Sequence, residues 1–157
     1  MSSINRCSIV LPQFPEYTVL ISLFEDVSNA HKLRLKVAQL PFAIIDARAI
    51  CSKEQLLSAI YRALVEVSYN KQRTKSLHSE CLLCLSPSSN IGEAFKNFGL
   101  KDDCKTVIVV QILGPNDQDV VKRLDEEICG REVEFLDQTL ERHCDEEFIR
   151  KVCGCER

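Results

Sequence analysis

The run from Lys105 to Leu113, KTVIVVQIL, constrains the fold of this chain most. It is nearly continuous in apolar, β-branched residues and is closed by Gly114-Pro115, which makes it a strand bounded by a turn. A strand that apolar on both faces belongs in the middle of a sheet, under covering layers.

Other segments supply its neighbours. Tyr17 to Phe24 (YTVLISLF) follows two prolines and reads as a strand, Phe42 to Ile45 as a short buried one. Glu80 to Leu85 (ECLLCL) reads as a second strong strand, broken by Ser86-Pro87. Arg131 to Leu136 alternates, with Val133 and Phe135 against Glu132 and Glu134, and is expected at an edge. Helices are expected between these strands. Asp26 to Leu40 carries Val27, Ala30, Leu33, Val37 and Leu40 as a stripe that ends at Pro41. Ser52 opens the clearest helix, with Gln55 completing a capping-box pair and Leu56, Leu57, Ile60, Ala63, Leu64 and Val67 on one face. Asn90 and Glu93 cap a short helix through Phe98, stopped by Gly99 as a C′ residue. Asp117 to Cys129, stopped by Gly130, and Asp145 to Val152 complete the set. The sum is one α+β (mixed α/β) domain over residues 1–157, a central, mainly antiparallel sheet covered by helices.

Composition narrows the function. A net charge of −3 argues against coating nucleic acid by bulk charge, while a local basic patch remains compatible. No apolar run approaches the roughly 20 residues that span a bilayer, so no membrane partner is expected. The N-terminal MSSINRCSIVLPQFPEY carries no signal-peptide core, which leads to an expectation of nucleus and cytoplasm. Nine cysteines, an odd number placed mostly in apolar stretches, read as reduced core residues. Cys81 and Cys84 have CxxC spacing, but in a strand they point to opposite faces, and no second such pair accompanies them. No metal or other cofactor is expected.

Catalysis finds little support. The chain has no GxGxxG, GK[ST], GxSxG or HExxH, and His31, His78 and His143 fall in different elements. Asp145, Glu146 and Glu147 stand where a helix N-terminus favours carboxylates. The basic segment after the clearest helix is different. Lys71, Arg73 and Lys75 alternate with polar residues and share one side of an extended chain, with Tyr69 and His78 close by. Such cations suit phosphates, and the rings could stack an unpaired base. A solvated loop after a helix is the plainer alternative.

At these residues the chain resembles a known family. NKQRTKSLHSECLLCLSPSSNIGEAFKNFGLKDD is similar to the signature of the TPRKB-type, PRPK-binding subunit of the KEOPS (EKC) complex, particularly its fungal form. The resemblance continues through LPQFPEYTVLISLFEDVSNAHKLR, AIIDARAICSKEQLLSAIYRALVEV, EVEFLD and DEEFIRK, over residues 9–151. It implies a non-catalytic subunit of mixed α/β fold that binds the atypical kinase PRPK and, through it, other KEOPS subunits. It also implies capture of tRNA, including the single-stranded CCA end, in support of threonylcarbamoyladenosine formation at tRNA position 37, and a link to telomere maintenance. Threonylcarbamoyl transfer belongs to another, metal-binding subunit. The family pattern N-K-x-R-T-[KR]-x-L falls on Asn70, Lys71, Arg73, Thr74, Lys75 and Leu77, which makes Asn70, Lys71, Arg73, Thr74 and Lys75 the implied tRNA contacts. LSP-x-x-NI falls on Leu85, Ser86, Pro87, Asn90 and Ile91 and is read as scaffold.

The departure is at residues 152–157, VCGCER, where the family continues into a hydrophobic helix similar to part of the kinase-binding surface. Kinase contact is therefore expected of the residues that remain there: Phe148, Ile149 and Val152. Val152-Cys153 is what an in-frame GUAUGU splice donor encodes, so the tail is expected to be translated intron. A spliced, stop-terminated message that carries VCGCER overturns that expectation. Two other readings stay open: a protein adaptor with an incidental basic patch, and a cysteine-dependent redox or metal protein.

Overall fold

The computed structural model describes residues 7–36, 40, 42–71, 74, 76–86, 90–114 and 127–153, the last three of these by backbone alone. Strand β4 (Val107–Leu113) lies inside the sheet, as its composition predicts. It pairs antiparallel with β2 (Thr18–Glu25) from Thr18↔Leu113 to Phe24↔Val107, and with β3 (Ala43–Asp46) from Ala43↔Val110 to Asp46↔Val107. Two short strands, β1 (Cys7–Ile9) and β5 (Arg131–Val133), share the far edge of β2, opposite Val19–Ile21 and Leu23–Glu25. The five-stranded sheet is antiparallel throughout, in one mixed α+β domain.

Period-two alternation divides the strands between two cores. Val19, Ile21, Leu23, Ala43, Ile45, Ile108, Val110 and Ile112 face the larger one, beneath α2 (Lys53–Ser68) and α3 (Leu77–Leu85). Phe24, Ile44, Val107 and Val109 face the smaller one, beneath Leu33 of α1 (Ala30–Lys36). Helix α2 starts as predicted, with Ser52 Oγ accepting the Gln55 N–H; Leu56, Ala59, Ile60, Ala63 and Leu64 are buried, while Leu57 and Val67 of the expected stripe are half-buried. Gln55 Oε1 reaches Cys51 N, one residue short of a regular capping box.

Several expectations need correction. Glu80 to Leu85 is not a strand but lies in helix α3, started by Ser76 Oγ accepting the Ser79 N–H. A run buried on nearly every side has no period to read, and ECLLCL contains no β-branched residue, so leucine's helix propensity and the serine cap prevail. Cys81 and Cys84 therefore share a helix flank rather than opposite strand faces.

Helix α1 is shorter than Asp26–Leu40, since Asp26 has a φ of 55°, outside helical geometry. Helix α4 (Ile91–Phe98) begins at the expected Asn90 cap, but Gly99 closes it with a φ of −79°, not as a left-handed C′ residue. Glycine is required there because a Cβ would stand 2.5 Å from the Phe95 carbonyl oxygen.

The helix expected over Asp117–Cys129 lies almost wholly outside the described residues, and Ile128 and Cys129 are not helical. Strand β5 ends at Val133 rather than Leu136, and α5 (Asp137–His143), which went unpredicted, follows. The terminal helix α6 (Glu146–Cys153) forms as expected, with Asp145 Oδ1 accepting the Phe148 N–H.

Candidate nucleic-acid interface

The basic segment leaves α2 through a tight C-terminal turn. Asn70 N–H donates to Val67 O at 3.0 Å and Lys71 N–H to Glu66 O at 2.8 Å, with Asn70 at a φ of 56°. That is a Schellman closure with asparagine in the left-handed position, one of the few residues that adopt it readily. Asn70 is thus the pivot that turns the chain, and Lys71 follows it, exposed.

The segment is held again at Thr74. Its N–H donates to Glu80 Oε1 at 3.1 Å, and its hydroxyl lies 2.9 Å from the same oxygen and 3.0 Å from Ser76 O. Glu80 is fully buried in α3, where a carboxylate costs several kcal/mol unless hydrogen-bonded, so this contact is a structural latch. Arg73 and Lys75 lie outside the described residues, on either side of Thr74 in the chain.

Thr74 opens onto the larger of two described cavities, a groove of about 1180 Å³ at the β3 edge between α1, α3 and α4. Leu82, Leu40 and Phe42 form apolar walls, and Ile91 and Phe95 are 37% and 40% exposed along the rim. Three cations reach it. Arg34 is paired with Asp102 at 3.3 Å and Lys101 with Asp46 at 2.9 Å, whereas no described carboxylate pairs with Lys96. His78 also lines the groove, but its Nε2 accepts the Ile112 N–H at 3.2 Å, which ties the ring to the end of β4. It is a wall, not a free stacking platform. Tyr69, 70% exposed at the end of α2, and Tyr61 present rings away from the groove lining, and Phe95 is the exposed ring that lines it.

Two other charged clusters are internally saturated. Asp46, 1% exposed, receives Arg48 and Lys101. Burial pushes its carboxyl up, but the hydrogen bonds from both cations outweigh that and leave it below the usual aspartate value. Glu25 receives Arg131 at 2.6 Å and His143 at 2.6 Å. The His143 hydrogen bond outweighs burial and, with the Arg131 and Arg142 charges, holds the carboxyl below the usual glutamate range. Neither cluster is visible as a local motif, because Lys101 reaches Asp46 across 55 positions and Arg131 and His143 reach Glu25 across 106 and 118, although Arg48 is near Asp46 in sequence.

The residues expected at the kinase surface sit elsewhere. Phe148 is half-buried against the larger core with Lys101 Nζ 5.3 Å above its ring, and Ile149 lines a separate cavity of about 460 Å³. Nothing is described of the Val152 side chain, and 154–157 lie outside the described residues. Burial pushes the Cys81 thiol well up, and among the described residues no three His, Cys, Asp or Glu side chains gather as a metal set.

Residues 24–156 match the family described as kinase binding protein CGI-121. A protein of Candida glabrata named EKC/KEOPS complex subunit CGI121 is 48% identical over 135 residues, spanning 86% of this chain and 77% of that relative. Relatives of the same name from Eremothecium gossypii and Kluyveromyces lactis are 46% and 42% identical, spanning 94% and 91% of this chain and 88% and 90% of theirs.

Proposed function

The chain belongs to the CGI-121 family of kinase binding proteins, and on that premise we propose that it is a non-catalytic KEOPS (EKC) subunit that holds tRNA for its kinase partner. In this reading Lys71, Arg73 and Lys75 take backbone phosphates, and the groove receives the unpaired bases of the CCA end against Phe95 and Ile91. The modification served is threonylcarbamoyladenosine at tRNA position 37; a role at telomeres and residence in nucleus and cytoplasm belong to the same proposal. The kinase partner is of the PRPK type, and Phe148, Ile149 and Val152 on α6 are its proposed contacts.

One observation carries the tRNA reading. Thr74, held by Glu80, lines an apolar groove whose rim cation, Lys96, no described carboxylate neutralises, and Asn70 turns the chain out of α2 shortly before it. A phosphate-bearing single strand needs that combination of charge, exposed aromatic surface and depth.

Charge reversal tests it. Lys71→Glu, Arg73→Glu and Lys75→Glu together are expected to lower tRNA affinity about 100-fold at moderate salt and to flatten its salt dependence by about two to three units of log–log slope. Kinase association should be unchanged. Unaltered tRNA affinity refutes the proposal and leaves the protein-adaptor reading in its place.

A further inference from the structure

Two cysteines distant in sequence line one cavity beside the start of α2. The segment running from the turn at Ala47–Ala49 into α2 lies beside the corner between α5 and α6. It is tied there twice: Asp145 N–H donates to Arg48 O at 2.9 Å, and Lys53 N–H to Asp137 Oδ1 at 2.8 Å. Cys51 falls between the two ties on one side and Cys144 on the other, and both line the 460 Å³ cavity. Cys51 is exposed and its Sγ lies 3.2 Å from Gln55 Oε1, whereas Cys144 is half-buried. Burial, and next the neighbouring Cys51, push the Cys144 thiol up, as they would for two sulfurs sharing one small space.

We infer that Cys51 and Cys144 form an oxidation-dependent disulfide that joins the start of α2 to the α5–α6 corner. The oxidant is a hydroperoxide. The exposed Cys51 thiolate attacks the peroxide oxygen, which gives a sulfenic acid and releases hydroxide or alkoxide. Cys144 sulfur then attacks Cys51 sulfur: the S–S bond forms, the S–O bond breaks, and the departing oxygen takes the Cys144 proton as water. Cys144 suits the resolving role because, half-buried, it is less open to peroxide than Cys51, and the double tie fixes the two segments that carry them. Closing so long a loop restricts the unfolded chain, so the oxidised protein should resist unfolding.

The full chain treated with hydrogen peroxide, alkylated and digested without reductant should yield a Cys51–Cys144 peptide pair, lighter than the two thiol peptides by two hydrogen atoms. Dithiothreitol should abolish it, as should Cys51→Ser or Cys144→Ser, while Cys129→Ser, at an exposed cysteine outside the cavity lining, retains it. Oxidised wild-type protein should melt higher than reduced by about 4–8 °C, and neither serine variant should show that shift. Sulfinic acid on Cys51 beside an alkylated Cys144, pairing of either with another cysteine, or the link found only between chains overturns the inference.

Discussion

The groove edge and the Glu25 edge of the sheet hold similar inventories of charge and use them oppositely. Around Glu25, Arg131 and His143 close on one nearly buried carboxylate, with Arg142 3.8 Å away, so their charge is turned toward the fold. At the groove, Lys96 stands beside exposed Phe95 and Ile91 with no described carboxylate to meet it, and Lys71 projects from a pivot built to aim it outward. Counting basic residues would not separate the two edges. Pairing does: a cation committed to a buried acid is scaffold, and one left open beside an apolar trough is free for a ligand.

That contrast can be broken by experiment. The largest effect is expected at the saturated edge, where Glu25→Ala removes the acceptor shared by Arg131 and His143, leaves Arg131 to the exposed Asp26, and should cost about 2 kcal/mol of stability by denaturant unfolding, with tRNA affinity of the folded protein unchanged. Loss of tRNA binding in that variant would erase the distinction. Phe95→Ala should do the reverse, with little effect on melting and a loss of about 1–3 kcal/mol in tRNA binding, as expected for one stacked base.

Acid separates the two regions a third way. Glu25 and Asp46 both have folded pKa values below their ordinary 4.5 and 3.8, so the unfolded chain binds more protons as pH falls. Their contribution is complete above those ordinary values and disappears as pH drops through the depressed folded ones. Thermal melts between pH 6 and 3 should show a fall that Glu25→Gln makes shallower and Lys96→Gln does not. Smallest is the latch: Thr74→Val should cost about 1 kcal/mol of stability by denaturant unfolding, from the lost hydroxyl bond to Glu80.

How much of this was legible in the sequence depends on how local the signal is. KTVIVVQIL and YTVLISLF declared themselves through β-branched residues, and α2 through its stripe and Ser52. ECLLCL was misread because burial all round removes periodicity; its missing β-branched residues and the Ser76 cap were the clues. Asn70 was legible as a motif residue, but its task, the left-handed closure of α2, required backbone angles. The Glu25 cluster was invisible because its bonds join residues 106 and 118 positions apart. The groove was invisible for a related reason: Leu40, Leu82 and Phe95 become neighbours only after the sheet brings α1, α3 and α4 to one edge.

The most direct test of the central claim measures binding of intact tRNA and of the same tRNA without its single-stranded 3′ end, by wild-type protein and by Phe95→Ala. The groove account predicts that truncation weakens wild-type binding about tenfold or more and scarcely changes the variant, because both alterations remove the same stacking contact. Equal affinity of the wild-type protein for intact and truncated tRNA would contradict it.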